Sequence, residues 1–308
     1  MKHFNYYNDI KELIGNTPIL KLNHLGIDNQ IQLFAKLEFW NPGGSVKDRI
    51  GKAMIEDAEK RGLLKPGSTI IEATAGNTGL GIALAAINKG YRIVFVVPEK
   101  FSIEKQILMK ALGAEIINTS REKGMLGAME MAKQLLDEIP DSIELAQFVN
   151  PANPLVHYET TGAEIYHALN GEIDYLVAGA GSGGTFTGVL RYFKEKNPNI
   201  KGILVDPEGS TMGGGTEHCY NIEGIGNNFI PDTMDMELVD KVIKISDEEA
   251  LKTVKELARK EGLIVGTSSA AAVAASIRLA QEMKGGNIVT ILPDRGDRYF
   301  SKKIYEDV

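Results

Sequence analysis

A lysine in a glycine-rich turn is the residue of this sequence best suited to covalent chemistry. Lys47 stands in Asn41-Pro-Gly-Gly-Ser-Val-Lys-Asp-Arg49, between a strand-like and a helix-like run. Proline and glycine favour a turn there, and Ser45 is the predicted N-cap, which puts Lys47 in the first helical turn. A cation gains no stability at a helix N-terminus. Against the alternative of an ordinary surface lysine, we interpret Lys47 as an amine kept for nucleophilic or Schiff-base chemistry.

A second stretch, Gly179-Ala-Gly-Ser-Gly-Gly-Thr185, has the composition of an anion-binding loop. Successive glycines let backbone N–H groups converge on an anion, and the following helix adds its N-terminal dipole. The spacing Gly179-x-Gly181-x-x-Gly184 also matches the dinucleotide fingerprint, with acidic Asp206 after the next strand. An NAD(P)-dependent oxidoreductase therefore stays open as the alternative. Against it, the fingerprint falls late in the chain and no hydride-transfer residues accompany it.

Two further polar loops precede predicted helices. The first, Thr74-Ala-Gly-Asn-Thr78, offers hydroxyls, an amide and exposed backbone N–H groups, which suit a carboxylate or a ring bearing a phenolic oxygen. The second, Gly266-Thr-Ser-Ser269, opens a helix near the C-terminus. Each loop alone is more often a helix cap than a binding site. Their occurrence together with Lys47 in one chain favours a binding site.

The elements that must position these loops alternate between strand and helix. Strands are predicted at 19–22, 31–39, 68–72, 92–97, 115–118, 175–178, 202–206 and 287–292. Helices are predicted at 49–61, 80–88, 103–112, 125–138, 158–169, 186–196, 247–261 and 270–283. This alternation indicates parallel sheets covered on both faces. The predicted fold is α/β, with two doubly wound lobes and a cleft between them.

Composition limits the class of function. The chain has 308 residues, of which 43% are hydrophobic, and this allows two domains or one large one. A net charge of -7 without a long basic run argues against a nucleic-acid partner. The single cysteine, Cys219, cannot form an intramolecular disulfide, which fits a cytoplasmic location. No signal peptide, membrane span or metal site is predicted.

Together these motifs resemble the cysteine synthase and cystathionine β-synthase family. Its members are pyridoxal-phosphate enzymes of the tryptophan-synthase-β fold, known as fold type II, and the likeness is nearest to the small bacterial cystathionine β-synthase-like members. The similar stretches follow the family order and cover nearly the whole catalytic core. They are Gly15-Asn-Thr-Pro18, Asn41 to Arg49, Thr74-Ala-Gly-Asn-Thr-Gly79, Gln147-Phe-Val-Asn-Pro-Ala-Asn153, Gly181-Ser-Gly-Gly-Thr185, Glu223-Gly-Ile-Gly226 and Gly266-Thr-Ser-Ser269.

The resemblance implies a role for each loop. Lys47 would form the Schiff base with the aldehyde of pyridoxal 5'-phosphate and act as general base. Asn77 would hydrogen-bond the phenolic oxygen, and Ser268 would meet the pyridine nitrogen. The cofactor phosphate would be held by Gly181, Ser182, Gly183, Gly184 and Thr185. The substrate would be bound by Thr74, Ala75, Gly76, Thr78, Gln147 and Gly224.

The resemblance also implies a reaction. Serine at the pyridine nitrogen does not keep that atom protonated, which favours replacement and elimination at Cβ over transamination. The expected activity is β-replacement or β-elimination on cysteine, serine or O-acetylserine through an aminoacrylate, making or releasing hydrogen sulfide or thiols. A catalytically silent binding protein is a further alternative, against which the intact Lys47 argues.

The family also suggests an organisation for the chain. Residues 1–40 and 147–308 would form a large cofactor-binding domain, and residues 41–146 a smaller mobile domain that closes over the substrate. The partners would be small amino-acid and thiol or sulfide substrates, with no membrane partner, and the protein would be a homodimer. Because no haem-binding segment or tandem regulatory domain flanks this core, regulation of the animal cystathionine β-synthase type is not expected.

Two positions depart from the family pattern. Ala75 stands where cysteine synthases usually have serine beside the substrate carboxylate. Asp232, in Phe229-Ile-Pro-Asp-Thr233, places a carboxylate where the family rarely has one, at the predicted cleft mouth. Asp232 could bind the amine of an incoming thiol amino acid, or act as base toward water or a thiol. With cysteine and water as substrates the products would be serine and hydrogen sulfide. The alternative is a solvated loop aspartate.

Overall fold

The described residues form two β-sheets, one of six strands and one of four. We analyse a computed structural model that describes residues 6–74, 76–99, 102–120 and 122–306. The larger sheet has the strand order β1-β2-β10-β7-β8-β9, and all neighbours are parallel except β1 and β2. Its strands are β1 (Ile19–Leu22), β2 (Ile31–Leu37), β7 (Tyr175–Gly179), β8 (Lys201–Pro207), β9 (Lys241–Ile245) and β10 (Gly286–Leu292).

The smaller sheet is parallel throughout, with the order β5-β4-β3-β6. Its strands are β3 (Thr69–Ala73), β4 (Arg92–Pro98), β5 (Glu115–Thr119) and β6 (Ser142–Ile143). Strands β3 and β4 are almost continuously buried and rich in β-branched residues. This is the pattern expected of a parallel strand covered on both faces.

Helices cover both faces of each sheet. In the described residues they are α1 (Lys47–Lys60), α2 (Asn77–Ala86), α3 (Ile103–Ala111), α4 (Gly124–Glu138), α5 (Ala152–Val156), α6 (Ala163–Ala168), α7 (Gly184–Lys196), α8 (Asp247–Glu256) and α9 (Thr267–Glu282). A π-helical segment, His157–Gly162, joins α5 to α6. None of the described helices is long and apolar enough to cross a bilayer.

Alternate residues of the strands feed separate cores. On the larger sheet, Val177 packs toward α8 and α9 while its neighbour Leu176 packs toward α6 and α7. On the smaller sheet, Ile70 faces α1 and α2 while Ile71 faces α4. Each sheet therefore buries both faces, and the predicted α/β fold with two doubly wound lobes is confirmed.

One pairing differs from the expected parallel order. Strand β1 runs antiparallel to β2, with Ile19 opposite Lys36 and Leu22 opposite Leu33. The connection between them contains no described helix. A parallel neighbour needs a crossover of a dozen or more residues, so this short connection returns the chain antiparallel at the sheet edge.

Candidate active site

A cavity lies at the carboxyl ends of strands from both sheets. We call it the inner cavity; it is bounded by residues that follow β3, β7 and β10 and by the starts of α1 and α9, among them Lys47, Asn77, Gly181, Ser268 and Asp294. Lys47 and Asn77 also line a wider cleft of about 600 Å³, the outer cleft. In open parallel sheets the carboxyl ends of the strands are where ligands bind.

Four helices begin at this cavity. Their first residues are Lys47 for α1, Asn77 for α2, Gly184 for α7 and Thr267 for α9. Each helix starts two or three residues earlier than its apolar pattern predicts, because the first turn is built from polar or small residues that the hydrophobic period does not register. Helix N-termini attract negative charge, so their convergence favours an anionic ligand.

The backbone around Lys47 is held from two sides. Val46 is the N-cap, so the prediction of Ser45 was one position early, although the Ser45 hydroxyl accepts from the Lys47 N–H at 3.2 Å. The Val46 N–H donates to the Pro293 carbonyl at 2.8 Å, at the end of β10. On α2, a Cβ added to Gly81 would lie 2.2 Å from the Lys47 carbonyl oxygen. Glycine at position 81 allows α2 to contact the first turn of α1 directly, and this contact fixes the position of that turn.

The Lys47 amine is in an unusual electrostatic setting. Burial lowers its pKa to about 8 from 10.5, and the Asp294 carboxylate opposes this shift only in part. Within the described part of the chain, its amine forms no side-chain hydrogen bond or ion pair. Near pH 8 about half of the amine is therefore unprotonated and able to act as a nucleophile or base.

This setting predicts the pH at which Lys47 becomes reactive. In cofactor-free protein, acylation of Lys47 by a small reagent should reach half its maximal rate near pH 8, because only the neutral amine reacts. Peptide mass spectrometry across a pH series measures the rate. A half-maximum at the ordinary lysine value of 10.5 would contradict the assigned environment.

The glycine loop after β7 is shaped for close approach. Gly183 has a φ of +82°, which favours glycine. A Cβ on Gly181 would lie 2.5 Å from the Gly224 carbonyl oxygen, and one on Gly184 would lie 2.0 Å from Asn153 Oδ1. The Ser182 and Thr185 side chains line the inner cavity beside this backbone. Glycines, two hydroxyls and the α7 N-terminus fit a bound phosphate group.

Asn77 is oriented by a residue that the sequence analysis missed. Its Nδ2 donates to Asp294 Oδ2 at 2.7 Å, and its Oδ1 accepts from Arg298 Nη1. Asp294 also accepts from the Tyr299 hydroxyl at 2.5 Å, and its other oxygen is buried without a described partner. Its place two residues beyond β10, at the carboxyl edge of a parallel strand, is the signal that could have found it.

Ser268 supplies a further hydroxyl to the inner cavity. It is the second residue of α9, is buried, and lines the inner cavity. Lys47, Asn77, Ser268 and the glycine loop therefore surround one space, as the sequence analysis expects of a cofactor site. Of the predicted loop residues, Gly184 is buried at the start of α7 and does not itself line that space.

The outer cleft brings together the predicted substrate residues. Thr78 donates to Gln147 Oε1 at 2.7 Å across it. The remaining members that line the cleft are Thr74, Gly76 and Gly224. A Cβ on Gly76 would meet no described atom within 4 Å, so the backbone there is open to a ligand. Ala75 lies outside the described residues.

The lining of the outer cleft includes charged residues for which the sequence predicted no role. Lys105 Nζ pairs with Glu223 Oε2 at 2.9 Å and lies 4.4 Å from the centre of the Tyr299 ring. Lys302 pairs with the other oxygen of Glu223. Burial would raise the pKa of Glu223, but the two lysines outweigh it and hold that pKa below its usual value. Two cations thus share one carboxylate.

Asp232 is not brought to these surfaces. It is exposed and is absent from the linings of the inner cavity and the outer cleft. Its neighbour Thr233 is buried and donates to the Ser182 carbonyl at 2.5 Å, which ties this segment to the glycine loop. The proposed catalytic role of Asp232 stays a prediction.

Asp206, the acidic residue that a dinucleotide site would use for the ribose, is engaged within the protein. Asp206 is fully buried and pairs with Lys244 Nζ at 2.5 Å. It also accepts from the Gly213 N–H at 2.9 Å. With one oxygen engaged in this way and no exposed surface, Asp206 is not positioned to receive a ribose hydroxyl.

Comparison with known proteins agrees with this geometry. Residues 10–294 match the model of a family described as pyridoxal-phosphate dependent enzyme. Over 299 residues the chain is 52% identical to an O-acetylserine dependent cystathionine beta-synthase of Bacillus subtilis, covering 97% of each chain. It is 44% identical to a cysteine synthase of Staphylococcus aureus over 301 residues, again 97% of each.

A solved structure is similar as well. The crystal structure of a hydrogen sulfide-producing enzyme from Fusobacterium nucleatum superposes with a TM-score of 0.92 at 39% sequence identity. The match covers 96% of this chain and 99% of that one.

Proposed function

The chain belongs to the pyridoxal-phosphate dependent enzyme family, and from this premise we propose that it catalyses β-replacement or β-elimination on a small sulfur-pathway L-amino acid. Cysteine, serine and O-acetylserine are the candidate first substrates. The relatives named as cystathionine beta-synthase, cysteine synthase and hydrogen sulfide-producing enzyme support this class of reaction. The NAD(P)-dependent alternative and the silent binding protein are set aside.

One observation carries the proposal. A partly buried amine, Lys47, shares a single cavity with a glycine loop suited to phosphate, and its pKa is lowered to about 8. Pyridoxal phosphate needs both features, an amine for its aldehyde and donors for its phosphate. Lys47 would hold the cofactor covalently, Gly181 to Thr185 would hold its phosphate, and Asn77 and Ser268 would contact the ring.

The residues of this chain then have distinct tasks. The cofactor, when bound, withdraws electrons from the substrate and so makes its Cα–H bond acidic. Lys47 would take that proton and later return it, which its lowered pKa suits at neutral to mildly alkaline pH. Thr74, Gly76, Thr78 and Gln147 would hold the substrate carboxylate, and Gly224 lines the same cleft.

Neutral partners around the ring favour chemistry at Cβ. Ser268 is a hydroxyl and cannot keep a pyridine nitrogen protonated as a carboxylate would. Asp294 lies close to Lys47 and Asn77 instead. We expect a weaker electron sink, which favours loss and gain of a group at Cβ over transamination.

The charged residues that line the outer cleft indicate the kind of second substrate. Lys105 and Lys302 both pair with Glu223, and all three residues line the outer cleft. Two cations beside one carboxylate suit a zwitterion, with its carboxylate toward the lysines and its amine toward Glu223. We therefore favour a thiol amino acid such as homocysteine or cysteine over free sulfide as the nucleophile of the replacement reaction.

A product assay tests the function. Purified protein is incubated with O-acetylserine and either sulfide, homocysteine or cysteine, and in parallel with cysteine alone. Release of acetate with formation of a thioether or thiol amino acid is the expected result for the synthase direction, and sulfide with serine for the hydrolytic direction. Absence of acetate and thioether from the mixtures with O-acetylserine, together with absence of sulfide from the mixture with cysteine alone, would refute the proposed function.

We further propose that Asp232 acts as base toward the water or thiol that adds at Cβ. Asp232→Asn should spare loss of the β-substituent, seen as an initial release of sulfide from cysteine, and slow the appearance of serine about 100-fold, since a general base contributes about 10²- to 10⁴-fold. Rapid quench with product quantification separates the two phases. Asp137→Asn, exposed on α4, is the matched control. Equal rates for both phases in Asp232→Asn and wild type would end this proposal.

Three further statements stay proposals. The chain would divide into a large cofactor-binding domain, 1–40 with 147–308, and a smaller closing domain, 41–146, and the two separate sheets support that division. A homodimer is proposed by family analogy. A cytoplasmic location is proposed from the single cysteine, Cys219, which is exposed and free.

A further inference from the structure

Two buried residues lie within hydrogen-bond distance of the two hydroxyls of the glycine loop. Asn153 and His157 are both fully buried and lie four residues apart, on α5 and at the start of the π-helical segment. Residues at this spacing share one helix face. Asn153 Nδ2 is 2.9 Å from Ser182 Oγ, and His157 Nε2 is 3.1 Å from Thr185 Oγ1. Neither residue touches the cavity itself.

The direction of the first hydrogen bond is fixed by its surroundings. Asn153 Nδ2 also donates to the Gln147 carbonyl at 2.7 Å, and a carbonyl can only accept. The amide nitrogen must therefore face both Gln147 and Ser182, with Ser182 Oγ accepting. A hydroxyl carries a single proton, so the Ser182 proton stays free to donate elsewhere.

His157 can act on Thr185 in the same way. Burial and the nearby Arg49 lower the pKa of His157 to about 3, so the ring is neutral and has one N–H and one acceptor nitrogen. Its Nδ1 lies 2.9 Å from Thr161 Oγ1, a hydroxyl that can donate to it. In this tautomer the Nε2–H donates to Thr185, and the Thr185 proton also stays free.

Packing against α7 holds Asn153 and His157 next to the glycine loop. A Cβ on Gly188 would lie 2.2 Å from the Pro154 carbonyl oxygen and 2.7 Å from His157 Cβ. Helix α7 therefore lies directly on the segment that carries Asn153 and His157. Single π-helical turns inside helices are frequent at functional sites, and here the turn starts at His157.

We propose that Asn153 and His157 form a donor layer that presets the Ser182 and Thr185 hydroxyls to donate into the cavity. A phosphate monoester dianion accepts hydrogen bonds and donates none, so a loop that presents only donors selects it. Both residues are positioning residues, since they act through Ser182 and Thr185. This inference rests on the proposed function, because the monoester in question is the phosphate of the proposed cofactor.

The test compares pyridoxal phosphate with pyridoxal, which lacks the phosphate. Binding of each to cofactor-free wild type, His157→Phe and His157→Gln is measured by equilibrium titration. Phenylalanine keeps a large planar ring but removes the donor, whereas glutamine can place an amide N–H near the position of Nε2. His157→Phe removes one neutral hydrogen bond and with it the fixed direction of the Thr185 hydroxyl, so it should weaken binding of pyridoxal phosphate about two- to tenfold. Pyridoxal affinity should stay unchanged, and His157→Gln should recover most of the loss.

Matched controls make the result decisive. Thr253→Val removes a buried hydroxyl whose described hydrogen bond, to the Glu249 carbonyl, lies within α8, and it should bind both ligands like wild type. Equal weakening of both ligands by His157→Phe would show a structural role only and overturn the inference, as would no weakening of either, or no recovery with glutamine. Failure of wild type to bind pyridoxal phosphate would instead refute the proposed function, and it is seen before any variant is compared.

Discussion

Lys47→Ala should lower the rate of β-replacement by at least about 10³-fold. Two contributions disappear together in this variant: covalent attachment of the cofactor and the base that moves the Cα proton. General base catalysis alone contributes about 10²- to 10⁴-fold, and loss of the covalent step adds to it. Steady-state release of acetate from O-acetylserine, at saturating cofactor, measures the effect.

The control for this variant lies on the same helix. Lys60 is the last residue of α1 and is exposed, so Lys60→Ala should keep the wild-type rate. Far-ultraviolet circular dichroism should show the same helix content in all three proteins. A Lys47→Ala enzyme within tenfold of wild type would mean that another group supplies the base, and the role of Lys47 would have to be withdrawn.

The second large effect concerns a buried ion network behind Lys47. Arg49, two residues along α1, is nearly fully buried and bonds Glu38 at 2.7 and 2.8 Å and Glu164 at 2.7 Å. Lys36 Nζ joins Glu164 at 2.6 Å, and the Thr17 hydroxyl donates to Glu38 at 2.6 Å. The network links β2, the Gly15-Asn-Thr-Pro18 turn and α6 to the first turn of α1.

We expect Arg49→Met to lower the free energy of unfolding by about 3–5 kcal/mol, because it leaves Glu38 buried without its cation. Urea denaturation followed by circular dichroism gives the value. Arg61→Ala, which breaks an exposed pair with Asp57 on the same helix, should cost less than about 1 kcal/mol. Equal losses in the two variants would contradict the network's importance.

The same network sets an acid dependence. Burial would raise the pKa of Glu38, but Arg49 outweighs it and lowers that pKa to about 2 from 4.5. The stability from this group is therefore fully present above pH 4.5 and is lost as the pH falls through 2. The double variant Arg49→Met/Glu38→Gln should regain part of the free energy of unfolding that Arg49→Met loses, because the uncompensated charge is then removed.

Sequence reasoning reached the chemistry of the site more surely than its framework. Lys47 and the glycine loop were identified by residue type and spacing. The two other polar loops are each more often helix caps than sites, so they were identified by their occurrence together with Lys47 and by the family resemblance. The starts of α1, α2, α7 and α9 were predicted late, because their first turns lack the apolar residues that define a helical period.

What the sequence could not supply is contact between distant segments. Asp294 reaches Asn77 across 217 positions, and Lys105 reaches Glu223 across 118. Neither pair has a local spacing signal, since each depends on how the two sheets are placed. The opposite holds for Asp232, which stood out in the sequence but is exposed and lies off both cavity linings.

The most direct test of the central claim is to find where the cofactor is attached. Purified protein with bound pyridoxal phosphate is reduced with borohydride, digested and mapped by mass spectrometry. We predict one reduced pyridoxyl-phosphate group per chain, carried by the peptide that contains Lys47. Modification at another lysine, or none at all in protein that binds pyridoxal phosphate, would contradict the assignment of the inner cavity as the catalytic site.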